Sequence, residues 1–311
     1  MFCSTVIPTV GRSTLSRAVY SVLDQTFTAD DFEVIVVNDS GRPLPEADWQ
    51  QANRVWVINT NRRELCVARN SGAAIAKGRY LHFLDDDDWL LPNALENFWT
   101  LVQRNEAAIW LYGGARFEDE TGKNLGELNL KRSGNCFTQL IAGSWIPAQV
   151  SLIQTEKFFA MGGFNPLFGP TEEMELGRRL ALRGELAHTS DIVACILRGR
   201  GWVTTADHDL HPEYNRWSRD IALSEPGSFA RMYASANSSY WHGRIFHAYL
   251  TTTLWNLRRK RFLTAASRTV YGIASLTLSA RHIPSSDFWR SVRDTQVPCS
   301  QARVIKFREL S

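Results

Sequence analysis

An α/β fold with a mixed, mostly parallel sheet flanked by helices is what this 311-residue sequence predicts, and three observations predict it. Short apolar runs recur through the first half, amphipathic stretches separate them, and polar clusters stand directly after several of the runs. Strands alternating with helices at this rhythm imply βαβ units.

The strands predicted first are CSTVIP (3–8), FEVIVV (32–37), RVWVIN (54–59), RYLHFL (79–84) and AAIWLY (107–112). Between them Leu15, Ala18, Val19, Val22 and Leu23 repeat at helical spacing, as do Leu65, Ala68, Gly72 and Ile75. Pro8, Thr9 and Arg12 follow the first strand, Asn38-Asp39-Ser40 the second, and four aspartates the fourth. Ligands of such sheets bind beyond the carboxyl ends of the strands, so these clusters should converge on one edge.

After Tyr112 the pattern changes. FEDETGKNLGEL (117–128) reads as a hairpin around Thr121-Gly122, and AQVSLI (148–153) as a strand before a short helix ending at Gly162-Gly163. A helix from Glu172 to Arg183 leads into a strand, HTSDIVACIL (188–197). From about residue 220 the sequence reads as helical, basic and aromatic.

Charge divides the chain at that point. Residues 1–219 carry 22 Lys and Arg against 27 Asp and Glu, whereas residues 220–311 carry 13 against 5. Five cysteines (Cys3, Cys66, Cys136, Cys195, Cys299) lie far apart without zinc-ligand spacing, which suits reduced thiols in a cytoplasmic protein. The first residues already read as a strand edge rather than a signal peptide, and the uncharged stretch 269–280 is too short to span a bilayer.

FLDDDDWLLP (83–92) places four carboxylates at a strand's carboxyl end. An isolated acidic run is usually a solvated loop, and here Asp88 and Pro92 would also suit the start of the helix NALENFWTLVQ. In the crevice of a parallel sheet the same run suits Mg²⁺ or Mn²⁺, which take carboxylate and phosphate oxygens.

IPTVGRSTLSRAVYSVLDQTF, VIVVNDSG, ARNSGAAIAKGRYLHFLDDDDWLLP and MGGFN…EEMELGRRLALRG together resemble inverting glycosyltransferases of family 2. The resemblance runs from about Thr5 to Leu197. It implies the GT-A fold, a Rossmann-like nucleotide-binding domain, which is assigned to residues 1–219; the change of charge and pattern sets off 220–311 as a helical C-terminal region. It implies a metal-dependent transfer of sugar from a nucleotide diphosphate, a uridine one, to an acceptor hydroxyl.

Carried over residue by residue, Pro8, Thr9 and Arg12 match the loop against the base, and Asp39 the acid that accepts from it. Asn38 stands where the family more often has a second acid. Arg69 matches a residue beside base and diphosphate, although a solvated helix arginine fits its position equally. FLDDDD aligns with the family's FLDxDD, so Asp85 and Asp87 form the DxD pair. Asp87 would bind the metal, with Asp85 and Asp86 near ribose or sugar.

The family's Glu-Asp pair, which carries the general base, reads Glu172-Glu173 here. Glu173, Leu176 and Leu180 share one helical face, which turns Glu173 toward the crevice; Glu172, Glu175 and Arg179 share another, expected to be solvated and ion-paired. Two acids at a helix start would also simply favour its N-terminus. His208 and His211 match a loop that serves the metal or diphosphate, with Asn215, Arg216 and Arg219 closing over the donor. Trp145, Gln149 and Ser151 fall where the family shapes its acceptor side.

Two readings of the tail stay open. Residues 240–281 form either an appendage packed on the catalytic domain or a surface lying on an anionic membrane, at its cytoplasmic face, which would suit a lipid-linked saccharide acceptor. No nucleic-acid recognition module accompanies the basic run at 258–261. Two rival functions also stand: a binding protein that kept the pocket without catalysis, and a nucleotidyltransferase, against which the glycine-poor IPTVGRST counts.

Overall fold

The computed structural model describes residues 1–27, 31–60, 62–198, 211–235 and 238–293. Strand β1 (Cys3–Thr9), helix α1 (Leu15–Leu23), β2 (Phe32–Asn38), β3 (Val55–Asn59), α2 (Leu65–Ile75) and β4 (Tyr80–Phe83) make the parallel half of the sheet. A two-residue strand β5 (Trp89–Leu90), α3 (Ala94–Arg104), β6 (Ala108–Glu118), β7 (Asn124–Leu128) and α4 (Phe137–Ile141) follow. Next come β8 (Ser151–Gln154), α5 (Thr155–Ala160), α6 (Glu172–Arg183) and β9 (Glu185–Leu197).

The nine strands form one sheet in the order β3-β2-β1-β4-β8-β6-β9-β5, with β7 paired to β6. Pairing is parallel through β4, antiparallel at β8, and parallel again between β6 and β9. Strands β1, β2 and β4 are buried throughout, which is why they read as unbroken apolar runs rather than alternating ones. The expected mixed, mostly parallel sheet flanked by helices is borne out, as is the helical C-terminal region.

Helix α2 departs from its expected stripe. Leu65 and Ile75 are exposed, and the face on the sheet is Cys66, Ala68, Arg69, Gly72 and Ala73. The cause is close packing: a Cβ on Gly72 would lie 2.4 Å from Val6 Cγ1 and 2.8 Å from Val37 Cγ2. Only small residues fit at that separation, so hydrophobicity was the wrong signal there. Helix α3 begins at Ala94 with Asn93 as its cap position, so Asp88 does not start it. Residues 148–150 are a 3₁₀ turn, and β8 begins only at Ser151.

Helices α7 (His211–Ser224), α8 (Ser228–Tyr233), α9 (Ser238–Arg258), α10 (Phe262–Leu278) and α11 (Ser286–Arg293) complete the described chain. Helix α7 runs unbroken across residues 219 and 220, where the charge balance changes. Trp241, Ile245 and Tyr249 of α9 join the same apolar core as the sheet. Arg178 of α6 is fully buried and donates from Nε to Leu140 O at 3.1 Å and from Nη1 to Asn215 O at 2.9 Å. Helices α4 and α7 therefore brace the helix that opens with Glu172 and Glu173.

Candidate active site at the carboxyl edge of the sheet

The carboxyl ends of β1, β2 and β4 bring the polar clusters together as the topology requires. Thr9 and Asn38 are paired across β1 and β2, and Leu84 N donates to Val6 O at 3.0 Å, which sets the aspartate run beside Thr9 and Arg12. Thr9 Oγ1 donates to Asp86 Oδ2 at 2.5 Å. Half-exposed Arg12 donates from Nη1 to Asp86 Oδ1 at 2.6 Å and to Asp87 Oδ2 at 3.1 Å. Pro8 and Asp86 are buried.

Asp39 is buried at the end of β2. Its Oδ1 accepts from Thr60 Oγ1 at 2.7 Å and from Arg62 N at 2.6 Å, and its Oδ2 accepts from Glu64 N at 2.6 Å. Burial pushes its carboxyl up, but these donors outweigh it and hold the group below the usual aspartate range. Asp39 thus ties down the N-terminus of α2, which Glu64 caps by accepting from Cys66 N and Val67 N. Asn38 closes the neighbouring turn, donating to Arg42 O and to Asn59 Oδ1.

Arg69 lies at the centre of the site. Only 1% exposed, it donates from Nη1 to Glu172 Oε1 at 3.1 Å. Its Nη2 reaches Asp85 Oδ1 at 2.8 Å and Glu173 Oε1 at 3.3 Å. The solvated-arginine alternative is therefore overturned. The outward placement of Glu172 is overturned too: Glu172 is 6% exposed and faces the same cation as Glu173. Helical spacing put the two glutamates on different faces, but the one guanidinium of Arg69 reaches both. Glu175 and Arg179 do pair, yet they are turned inward, and Arg179 Nη2 donates to Gly163 O at 2.8 Å.

Glu173 has a second partner, Trp145, whose Nε1 donates to Oε2 at 2.8 Å. Gln149 donates from Nε2 to Asp85 Oδ2 at 2.7 Å, and its buried Oε1 has no hydrogen-bond partner among the described residues. Ser151, by contrast, is buried and donates to Pro147 O. Burial raises the carboxyls of Glu172 and Glu173 above the ordinary glutamate range; Arg69 opposes this without cancelling it.

Two contributors went unnoticed in the sequence. His82 on β4 is fully buried, its Nδ1 3.2 Å from Thr5 Oγ1 and its Nε2 2.9 Å from Gln149 O, so it fixes the backbone that aims Gln149. Burial pushes its imidazole down to about 4, and it stays neutral at ordinary pH. Asn70 donates from Nδ2 to Phe164 O at 2.8 Å and accepts from Phe164 N at 2.9 Å, joining the ARN and GGFN segments. Their signal was adjacency to the motifs, which a polar residue inside a strand or helix rarely advertises.

Carboxylate oxygens of Asp85, Asp87 and Asp88 lie within 4.8 Å of one another. An all-oxygen donor set of this charge fits a hard divalent cation such as Mg²⁺ or Mn²⁺. Burial, opposed by Arg12 and reinforced by Asp85 and Asp86, raises the Asp87 carboxyl; burial with Asp85 and Asp87 raises that of Asp88 further. Asp88 accepts from Leu197 N at 2.8 Å, which ties the run to the end of β9.

His208 lies outside the described residues, and His211 opens α7. Asn215, Arg216 and Arg219 are committed elsewhere, which corrects their expected place over the donor. Asn215 Oδ1 accepts from Arg178, Arg216 pairs with Glu213 and Asp220, and buried Arg219 donates to Ile141 O at 2.8 Å.

The family model for glycosyl transferase family 2 matches residues 4–167, more than half of the chain. The protein belongs to glycosyl transferase family 2. This family 2 chain is 32% identical over 112 residues to the poly(ribitol-phosphate) beta-N-acetylglucosaminyltransferase TarP of Staphylococcus aureus, covering 34% of each chain. It is 24% identical over 238 residues to the glycosyltransferase GlyG of Streptococcus pneumoniae, covering 70% of this chain and 76% of that one. It spans about a third of the length of TarP and under half of several other curated relatives. In fold it resembles S. aureus TarS 1-349, solved with UDP-GlcNAc, with a TM-score of 0.60 at 14% identity over 90% of this chain and 92% of that one. The sequence resemblance to family 2 and the GT-A architecture it implied are both borne out.

Proposed function

We propose that this protein is a metal-dependent inverting glycosyltransferase that moves a sugar from a UDP-sugar to an acceptor hydroxyl. The carrying observation is that Arg69 joins Glu173, through one guanidinium, to Asp85 of the aspartate run. A candidate base and a candidate donor site thus meet in one crevice. TarS was solved with UDP-GlcNAc and with UDP, which supports a uridine nucleotide. TarP is named for transfer to poly(ribitol-phosphate), a polymer, which supports an acceptor hydroxyl on a polysaccharide or glycolipid.

In this reading Asp39 offers the base the lone pair on Oδ2 that its three protein donors leave, since a carboxylate has about four such positions. Arg12, turned to Asp86 and Asp87, lies with Pro8 and Thr9 in the loop assigned to the base. Asp87, with Asp85 and Asp88, would hold a divalent cation, which would supply positive charge to offset that of a diphosphate leaving group. His208 and His211 are assigned to the same side. The unpartnered Oε1 of Gln149 accepts from a sugar hydroxyl.

Glu173, oriented by Trp145 and Arg69, takes the acceptor's proton. As it does so the acceptor oxygen bonds to the anomeric carbon, and the bond from that carbon to the diphosphate oxygen breaks, its electron pair leaving on the diphosphate oxygen. Displacement from the opposite face inverts the configuration.

The test is Glu173→Gln. Transfer should fall by about 10²- to 10⁴-fold, the usual contribution of a general base, with UDP affinity unchanged. Unchanged turnover would remove Glu173 as the base. Nucleotide binding without transfer in the wild type, over a broad acceptor panel, would favour a binding protein.

A further inference from the structure

Helix α10 is built inside out. Its buried residues are Ala265, Arg268, Gly272 and Ser275, a seam of small and polar side chains against α9. A Cβ on Gly272 would touch Tyr249 Cβ at 3.7 Å, and Arg268 pairs with Glu213 at 3.1 Å. Its solvent side carries Phe262 (66% exposed), Leu263 (90%), Val270 (65%) and Ile273 (57%), with Ala266 and Ala274 beside them. No charged residue interrupts that side, because Arg268 is the one charge between Phe262 and Leu278. Leu250, Leu254 and Leu257 of α9 are exposed as well. A helix normally buries its apolar face and shows water its polar one. Here the large apolar side chains face out.

Charge at one end of this surface says what covers it. Arg258, Arg259, Lys260 and Arg261 are exposed in succession at the turn from α9 to α10, directly before Phe262 and Leu263. Trp255 lies beneath Arg259 and Arg261, at 4.5 Å and 5.3 Å from ring centroid to guanidinium carbon. Between Glu225 and Asp287 the sequence contains no acidic residue at all. An apolar face, a cationic collar and an indole at their junction match the lipid–water boundary of an anionic bilayer. A second copy would meet the same positive charge with no acid to answer it. A nucleic-acid backbone would leave the apolar face in water.

We infer that the outward face of α10 and the turn at 258–263 dock in the plane of an anionic lipid surface. The helix is about 26 Å long and would lie flat. None of the described helices is long and apolar enough to cross a membrane, so the contact is interfacial. This narrows the membrane-facing part of 240–281 to its second half, since Trp241, His242, Arg244, Ile245 and Tyr249 are buried in the fold. Docking by this face is independent of the transfer reaction.

Vesicle flotation of the full chain tests it, with phosphatidylcholine alone and with about one-third phosphatidylglycerol added. The protein should float with the anionic vesicles, remain behind with the neutral ones, and be released by high salt. Leu263→Ser with Val270→Ser and Ile273→Ser, and separately Arg258→Glu with Lys260→Glu, should each weaken binding by roughly tenfold or more, with unchanged circular dichroism. Failure to float at any anionic content would overturn the inference. So would a dimer, detected by light scattering, that the triple serine variant dissociates. A duplex DNA that binds the chain while vesicles do not would assign the patch to nucleic acid instead.

Discussion

Arg69 is one buried cation set among three carboxylates, Asp85, Glu172 and Glu173. Burial raises both glutamates, and the guanidinium is the main force returning them to the charged form. A base must be unprotonated to act, so kcat/KM should fall as pH drops through the raised Glu173 value. That acid limb should lie above the ordinary glutamate range of about 4.3. Stability runs the other way: a raised acid favours the fold at low pH, and its contribution declines as pH rises through the folded value. Arg69→Met removes the opposing charge, so the acid limb should move to higher pH and transfer at neutral pH should fall by about 10²-fold or more. A pH–rate profile of the variant superimposable on that of the wild type would show that Arg69 does not set the state of Glu173. Sequence spacing found Glu173 but misplaced Glu172, because periodicity divides a helix into faces without saying what packs over each. Arg69 stood in a recognisable motif, but its burial came from three partners, two of them over 100 residues away, that no local window contains.

At the scale of elements, what was legible depended on which force shapes each segment. Strands β1, β2 and β4 are buried on both faces, and such strands show themselves as apolar runs. The helix from Glu172 to Arg183 was legible to the residue, with its acidic start and Gly184 following. Strand β5, two residues long, has no periodicity to read, and it exists because Trp89 and Leu90 pair with Cys195 and Ala194. Helix α2 was legible as a helix, and Ala68 and Gly72 of its expected stripe are buried, but Leu65 and Ile75 are not, since close approach selected small residues there. Gly72→Ala should therefore destabilise the protein by about 1–3 kcal/mol, the usual range for overpacking, measured by urea unfolding. A variant as stable as the wild type would mean that α2 can slide outward without loss. Because α2 also carries Arg69, some loss of transfer should accompany the loss of stability.

Across the whole molecule, the catalytic edge and the C-terminal helices form one body. Arg178 and Arg219, both buried, bind α4, α6 and α7 together through backbone carbonyls, so the helix bearing Glu173 is held from behind. The sequence could not show this bracing, because arginines that serve a core look the same as arginines on a surface. The candidate site lies at the N-terminal end of the same helix, where Arg69 joins Glu173 to Asp85, and where Arg12, Arg69 and Arg198 face the negative charge of Asp85, Asp87 and Asp88. The account's central claim is that this charge is completed by a divalent cation carried with a uridine nucleotide. Calorimetric titration of UDP into the wild type and Asp87→Ala, with and without Mn²⁺, tests it most directly. The account predicts binding that requires Mn²⁺ and is lost in Asp87→Ala; UDP binding equally well without metal, or undiminished in the variant, would contradict it.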